Sequence, residues 1–229
     1  NLTGTARGLI KAGLKDTKVY AASVDLSGLS MASDLDFNKK SFTTGHTGFG
    51  VPYSTYPDRS DVPRNAARPL RYIDRYLLVK QGEVFYTTEM LSALEGMERG
   101  PAGNTSLAAA FALAQTMDKD DIIVVQETEY TGAGKHPSAQ LSFAEEQGIH
   151  LIIGDSEEEV PGKNIILPDH PSRIKVRDLD MDRLHTSALR HLVPEDGDVR
   201  ESDLEYIAVE INSSIAETKR LIEEMREEM

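Results

Sequence analysis

The stretch from Asp121 to Gly154, DIIVVQETEYTGAGKHPSAQLSFAEEQGIHLIIG, decides the fold class. It contains an apolar run, a loop with two glycines, a helix-like segment that begins at Ser138, and a second apolar run, HLIIG. A strand, a loop, a helix and another strand in this order are typical of a parallel sheet with helices on its faces. The sequence therefore predicts an α/β fold. Because ligands of such sheets bind beyond the carboxyl ends of strands, the loop from Glu127 to Pro137 is a candidate binding loop.

The segments on either side of this stretch extend the same pattern. Apolar runs predict three further strands, Lys18–Val24, Tyr72–Val79 and Asn164–Pro168. Periodic segments predict a short helix at Ala6–Lys15, a helix in residues 87–99 capped by Thr87 or Thr88, and an alanine-rich helix in residues 104–117 after a glycine turn. We expect this alanine-rich helix to pack closely against the sheet, since its side chains are small.

The chain changes character near residue 172. Beyond Ser172 it has helical patterns without strands: an amphipathic segment at Asp180–Leu192 and two short helices. The short helices carry capping-box signatures, Ser202 with Glu205 and Ser214 with Glu217. We predict that residues 1–172 are the C-terminal portion of an α/β domain and that residues 173–229 are a helical extension.

Composition excludes several classes of protein. The formal net charge of −13 argues against nucleic-acid binding, which needs a basic surface to neutralise phosphates. No apolar run approaches the roughly 20 residues of a membrane span, and no signal peptide is recognisable, so we expect a cytoplasmic protein. The chain has no cysteine, and its six histidines show no metal-ligand spacing, so no metal site is predicted. The first residues have neither an initiator methionine nor the character of a domain start, so we expect this chain to be a piece with sequence missing upstream.

Three sets of polar residues are candidates for ligand contact. In TGTARG, the residues Thr3, Gly4 and Thr5 enter a helix whose N–H groups suit a phosphate, although an ordinary capped helix is the simpler explanation of this short motif. At the second glycine turn, Asn104, Thr105 and Ser106 are either ligand contacts or simply the helix cap. The histidines divide by position. His46 and His136 lie in glycine-rich loops where they can reach a ligand, whereas His150, His185 and His191 lie in predicted strands and helices.

Taken in order, these motifs resemble the C-terminal half of the fold type II pyridoxal-phosphate enzymes, which include threonine synthase and cysteine synthase. LTGTARG is similar to the end of that family's phosphate turn, which implies that Thr3, Gly4 and Thr5 bind the cofactor phosphate. YTGAGK is similar to the family's loop at the pyridine nitrogen, which implies that Thr131 contacts that nitrogen. A neutral hydroxyl leaves the nitrogen largely unprotonated, since no carboxylate stabilises a positive charge there.

The family's Schiff-base lysine belongs to an N-terminal half that this chain does not contain, so no catalytic residue is assigned. Lys135 does not match that lysine. Ala102 and Gly103 stand where cysteine synthases have a serine pair, so no cofactor contact carries over there.

Within this family, residues 83–115 and 121–137 most resemble the β subunits of 2-amino-4-oxopentanoate thiolases. This resemblance implies that coenzyme A cleaves 2-amino-4-oxopentanoate to acetyl-CoA and alanine. It also implies three kinds of partner: the missing N-terminal half, a smaller α subunit and an oligomeric assembly. The alternatives are another fold type II lyase or synthase, similar to threonine synthase or cysteine synthase, and a non-catalytic subunit.

The irregular segment from Ser41 to Pro69 is a candidate surface for the α subunit. It is rich in glycine and proline and holds four aromatic residues: Phe42, Phe49, Tyr53 and Tyr56. Aromatic side chains are enriched at interfaces, and a long irregular loop in a compact domain is usually functional. The alternative interpretation is that these four rings pack the loop against its own domain.

Overall fold

The computed structural model describes residues 2–14, 16–25, 70–127, 137–194 and 197–227. These residues form a mixed α/β fold, in agreement with the predicted class. The helices are α1 Leu2–Lys11, α2 Gln81–Glu95, α3 Asn104–Ala114, α4 Pro137–Glu146, α5 Met181–Leu192, α6 Glu201–Glu210 and α7 Ile215–Glu227. The strands are β1 Tyr20–Val24, β2 Arg75–Val79, β3 His150–Gly154, β4 Asn164–Pro168 and β5 Arg177–Asp178.

The strands form two small sheets. The first has the order β1-β2-β5, and β2 pairs antiparallel with β5 through Leu77 opposite Asp178 and Leu78 opposite Arg177. The second consists of β3 and β4, which run parallel with His150 opposite Asn164 and Gly154 opposite Pro168. The predicted strands HLIIG and NIILP are therefore both confirmed.

The chain divides into two compact units, each built from separate stretches of sequence. One unit comprises Asn1–Ala21, Pro52–Tyr76 and Leu179–Met229, and the other comprises Ala22–Val51 and Leu77–Asp178. We name them the tail unit and the loop unit, after the C-terminal helices and the candidate binding loop. The predicted boundary at residue 172 stays a prediction, because compact units do not define the domains of a longer protein.

The core of the loop unit lies between the parallel strands and helices α2 and α4. Phe85 of α2 packs with Ala144 of α4, with Ile149 and with Ile165 of β4, and all four are buried. Gly82 is the point of closest approach between α2 and β4. A Cβ atom on Gly82 would lie 1.8 Å from the carbonyl oxygen of Ile166, so only glycine fits there.

In the tail unit, helix α7 packs against both α5 and α6. The buried apolar side chains that these helices share are Leu184, Leu189, Leu204, Ile207, Leu221, Ile222 and Met225. Arg71 and Ile73 also belong to this unit. Arg71 Nη1 donates to Glu210 Oε1 at 2.7 Å, and Asn212 Nδ2 donates to the carbonyl of Ile73 at 3.0 Å, so polar contacts connect α6 to residues far earlier in the chain. None of the described helices has the length and apolar character that a membrane span requires.

Several predicted helix starts are wrong. Helix α1 begins at Leu2 rather than Ala6 and ends before Gly13, whose φ of +80° suits the left-handed residue that follows many helices. Helix α6 begins at Glu201 after Arg200, so Ser202 does not cap it. The cap at Ser214 is confirmed, since the N–H of Glu217 donates to Ser214 Oγ at 3.1 Å.

The predicted start of helix α2 is also wrong. The helix begins at Gln81, two turns before Thr87 and Thr88. Glu83 sets this start, because its carboxylate accepts the backbone N–H of Lys80 at 2.7 Å. Thr87 and Thr88 are buried inside the helix, and their hydroxyls donate to the carbonyls of Glu83 and Val84 at 2.8 and 2.7 Å.

The apolar run DIIVVQ was predicted to be a strand, but the structure does not pair it with another described strand. Residues 121–127 belong to no strand ladder in the described part of the chain. Exposed and half-buried residues nevertheless alternate along the run, which is the two-residue period of an extended strand. The predicted strand is thus not formed within the described residues, although the burial pattern of a strand is kept.

Candidate functional site

The candidate functional site lies in the loop unit, where the first turn of helix α3 meets Glu127, the first residue of the candidate binding loop. Asn104 opens α3 and is fully buried. With its amide nitrogen facing Glu127, Nδ2 lies 2.9 Å from one carboxylate oxygen and 3.2 Å from the other. This orientation satisfies an ionised Glu127, because the reverse orientation would place the amide oxygen against two acceptors.

Thr88 of helix α2 completes this contact. Its Oγ1 lies 3.1 Å from the Asn104 amide and 2.7 Å from the carbonyl of Val84. One hydroxyl proton serves one acceptor at a time. If the Thr88 hydroxyl donates to the carbonyl of Val84, it can only accept from the Asn104 side chain, so Asn104 Nδ2 faces Thr88. Asn104 Oδ1 then faces Glu127, and a hydrogen bond between them requires a proton on the Glu127 carboxyl. The protonation of Glu127 and the orientation of Asn104 are therefore linked.

Burial raises the pKa of the Glu127 carboxyl, and Arg99, whose Nε lies 3.8 Å from Glu127 Oε2, opposes that rise. A carboxyl group whose pKa is raised holds its proton closer to neutral pH. Glu127 is thus the acid or base group that the described part of this site offers.

Ser106, also in the first turn of α3, contacts the same end of the extended segment. Its Oγ lies 3.1 Å from the carbonyl oxygen of Gln126 and 3.0 Å from that of Gly103. Asn104 and Ser106 thus contact Glu127 and Gln126, the first residue of the binding loop and the residue before it. The structure brings together two of the predicted polar residues of the glycine turn, and neither acts as the helix cap, which is Gly103.

A second cluster of buried charge lies at the start of helix α2. The Glu159 carboxylate accepts the backbone N–H groups of Gln81, Gly82 and Ile166 at 2.8, 2.9 and 3.0 Å. Burial raises the pKa of Glu159 to about 7, against the lowering effect of these three donors and of Lys80. Because a side chain of the protein already occupies this helix N-terminus, we interpret the cluster as structural.

Glu83 and Arg177 form the other half of this cluster. Glu83 is completely buried, and Arg177 Nη1 and Nη2 lie 3.2 and 3.3 Å from its carboxylate oxygens. Ser156 Oγ also donates to Glu83, at 2.7 Å. Burial lowers the pKa of the Arg177 guanidinium, but its bonds to Glu83 and Glu157 outweigh that effect and raise it.

Neither the contact of Glu127 nor this charge cluster was predicted from the sequence. An acidic residue directly after an apolar strand was the available signal for Glu127. No comparable signal existed for Glu159, because its three donors come from other parts of the chain.

The predicted phosphate-binding residues Thr3, Gly4 and Thr5 lie in the first turn of α1, in the tail unit. The first N–H groups of a helix have no acceptor within the helix, and the helix dipole is positive there. Gly4 is exposed, and no heavy atom lies within 4 Å of the position of a Cβ atom on it. Phosphate binding by Thr3, Gly4 and Thr5 therefore stays a prediction.

The remaining predicted site residues lie outside the described part of the chain. They are His46, Thr131, Lys135 and His136, together with the aromatic residues Phe42, Phe49, Tyr53 and Tyr56. Of the other histidines, His150 begins β3, and His185 and His191 lie in α5, as predicted.

Comparison with known proteins finds relatives of this chain by sequence. No protein-family model and no solved structure matches the chain. The 2-amino-4-ketopentanoate thiolase β subunit of Acetoanaerobium sticklandii is 60% identical over 228 residues, which is 99% of this chain and 48% of that protein. A protein of the same name from an unknown prokaryotic organism is 60% identical over 210 residues, 91% of this chain and 44% of its own length. The chain therefore spans about half the length of the curated relatives it matches.

Proposed function

We propose that this chain is part of the β subunit of a 2-amino-4-ketopentanoate thiolase, also called 2-amino-4-oxopentanoate thiolase. The observation that carries this proposal is the identity of 60% over 228 residues to a curated β subunit of that name. The proposed reaction is cleavage of 2-amino-4-oxopentanoate by coenzyme A to acetyl-CoA and alanine. We further propose that the enzyme has the pyridoxal-phosphate-binding fold of type II, on the resemblance of the LTGT and YTGAGK motifs.

The proposed cofactor would be held by residues of the LTGT and YTGAGK motifs. Pyridoxal phosphate, when bound, supplies the electron sink that cleavage of the bond between C3 and C4 requires. Thr3, Gly4 and Thr5 would bind its phosphate, and the hydroxyl of Thr131 would donate to its pyridine nitrogen. Asn104 and Ser106 would hold the residues that precede Thr131, through their contacts to Glu127 and Gln126.

The direct test uses the complete β subunit, co-expressed with its α subunit and supplied with coenzyme A and 2-amino-4-oxopentanoate. We expect acetyl-CoA to form in a stoichiometry of one to one with alanine. Formation of neither product by an intact complex that binds pyridoxal phosphate would favour another lyase or synthase of the same fold. A complex that neither binds the cofactor nor reacts would favour a non-catalytic subunit.

The variant Thr131→Val separates cofactor binding from folding in the same complex. Valine keeps the shape of threonine but removes the hydroxyl donor, so the pyridine nitrogen loses its partner. We expect pyridoxal phosphate to bind more weakly by about 1–3 kcal/mol, measured from the change in its visible absorbance on titration. Unchanged affinity would show that another residue contacts the nitrogen.

A further inference from the structure

The loop unit exposes an apolar extended segment, residues 122–125 (Ile-Ile-Val-Val), which we name the open segment. Ile122 is 86% exposed and Val124 is 89% exposed, whereas Ile123 and Val125 are half-buried. No backbone hydrogen bond joins these four residues to any other described residue. The open segment thus presents both unpaired peptide groups and one bare apolar face.

Strand β3 of the same unit is exposed in a similar way. Ile152 is 44% exposed and Ile153 is 74% exposed, and within the described residues β3 pairs only with β4. Parallel sheets are normally covered on both faces, and a continuous apolar run such as IIVV is typical of a strand buried on both sides. By this rule, both the two-stranded sheet of β3 and β4 and the separate apolar run at residues 122–125 are incomplete.

We propose that the open segment and β3 together form a docking surface for the part of the β subunit that the curated relatives possess and this chain does not. The partner contributes strands that pair with the peptide groups of residues 122–125 and an apolar layer that covers Ile122 and Val124. The proposal rests on the proposed function for the identity of that partner.

The length of the relatives makes this partner available. The chain matches 48% of the A. sticklandii β subunit, so about half of such a subunit remains to supply strands and helices. Exposed strand edges that are long and apolar invite pairing, and natural proteins normally cover them. A continuation of the same α/β domain would form hydrogen bonds with the peptide groups of the open segment and would cover its apolar face.

A second copy of the chain fits this surface less well. Pairing along one edge would satisfy the peptide groups but would leave the face of Ile122 and Val124 in water. Each copy also carries a formal net charge of −13, so two copies repel each other. These two arguments favour the missing half over self-association.

Hydrogen exchange in the complete β subunit tests the pairing. We expect the amides of residues 122–125 to exchange at least about tenfold more slowly than those of Lys119 and Asp120 in the preceding turn, because paired amides exchange only on opening. Their protection should approach that of Ile165 and Ile166 in β4, which are already paired. Equal and rapid exchange at 119–125 would overturn the proposal, and so would protection that appears only after the α subunit is added.

A pair of substitutions tests the apolar cover in the complete β subunit. Val124→Lys should lower the thermal midpoint by several degrees, because it places a charge under the proposed layer. The matched control is Val209→Lys on helix α6, where the side chain is 55% exposed, and it should leave the midpoint nearly unchanged. Equal midpoints for the two variants would overturn the proposal, as would a dimer that Val124→Lys converts to monomers in sedimentation.

These readouts do not depend on catalysis. Protected amides in a subunit that forms no acetyl-CoA would support the docking surface and overturn the thiolase function. Acetyl-CoA formation by a subunit whose amides are unprotected would support the thiolase function and overturn the docking surface.

Discussion

Asn104 shows how a single buried amide can join two segments of the chain. It lies between Thr88 of α2 and Glu127 at the entrance of the candidate binding loop, and its orientation determines which of them receives its N–H group. A buried polar group of this kind is costly to leave without a partner. The residue therefore sets the position of Glu127 rather than acting as a helix cap.

The variant Asn104→Asp tests this role. It places a second carboxylate within about 3 Å of Glu127, where both groups cannot remain ionised. We expect a loss of about 1–3 kcal/mol in the free energy of unfolding at pH 8 and a smaller loss at pH 5, where a shared proton restores the hydrogen bond. Urea unfolding at both pH values measures these two losses of free energy. The control is Gln147→Glu, the same chemical change at an exposed position, and equal losses at both pH values would contradict the proposed contact.

His185 is a second buried residue with an unusual environment. It lies in α5, is 8% exposed, and neither ring nitrogen has a hydrogen-bond partner among the described residues. Burial lowers the pKa of His185 below 6.5, although Asp182, Glu217 and Asp180 act in the opposite direction. The folded protein therefore favours neutral His185.

We expect the stability of the protein to fall as the pH drops below about 6.5. In that window the unfolded chain binds a proton at His185 that the folded chain does not, so the free energy of unfolding decreases by up to about 1.4 kcal/mol per pH unit. The contribution is fully present above the unfolded pKa. His185→Leu should reduce this slope between pH 7 and pH 5, measured by urea unfolding. Leu189→Ala, a cavity-forming control in the same helix, should lower stability equally at both values. An unchanged slope in His185→Leu would refute the assignment.

At the scale of elements, α2 and β4 meet at their backbones. The backbone of Gly82 approaches the carbonyl of Ile166, and Glu159 accepts N–H groups from both elements. A helix and a strand that meet at their backbones leave no room for a side chain. This contact fixes where α2 lies on the small parallel sheet.

Gly82→Ala should destabilise the protein strongly. The new methyl group would meet a backbone carbonyl, which cannot move aside as a flexible side chain can, so we expect a loss of about 3 kcal/mol or more in the free energy of unfolding. Gly8→Ala in α1 is the matched control, because its Cβ meets no atom within 4 Å. That variant should be neutral or stabilise by about 0.4–1 kcal/mol. Thermal unfolding of both variants decides the matter, and similar midpoints would contradict the close approach.

At the scale of the whole molecule, the two compact units hold different parts of the proposed machinery. The loop unit carries Glu127, Asn104 and the open segment, and the tail unit carries the first turn of α1. The tail unit also combines residues from both ends of the chain. Within this unit, residues 71 and 73 bond directly to α6 and its C-terminal turn.

The sequence by itself determined the class and order of the elements. The apolar runs at HLIIG and NIILP, the alanine-rich helix, the cap at Ser214 and the helical tail were all predictable, because local periodicity and capping chemistry depend on neighbouring residues alone. The polar residues of the second glycine turn were predicted as ligand contacts or as the helix cap, and the structure places Gly103 at the cap position instead.

Only the tertiary structure decided which of these elements pair and where they begin. The start of α2 combines the local cap at Glu83 with a bond to Glu159, which lies 78 residues from Gln81, and no local pattern near Gln81 shows that second contact. The apolar run at 122–125 has the period of a strand, but a strand needs hydrogen bonds from another segment, whereas a helix makes its own. The burial of His185 and the position of Glu127 against Asn104 likewise depend on which helices pack together, and this is why the sequence alone did not show them.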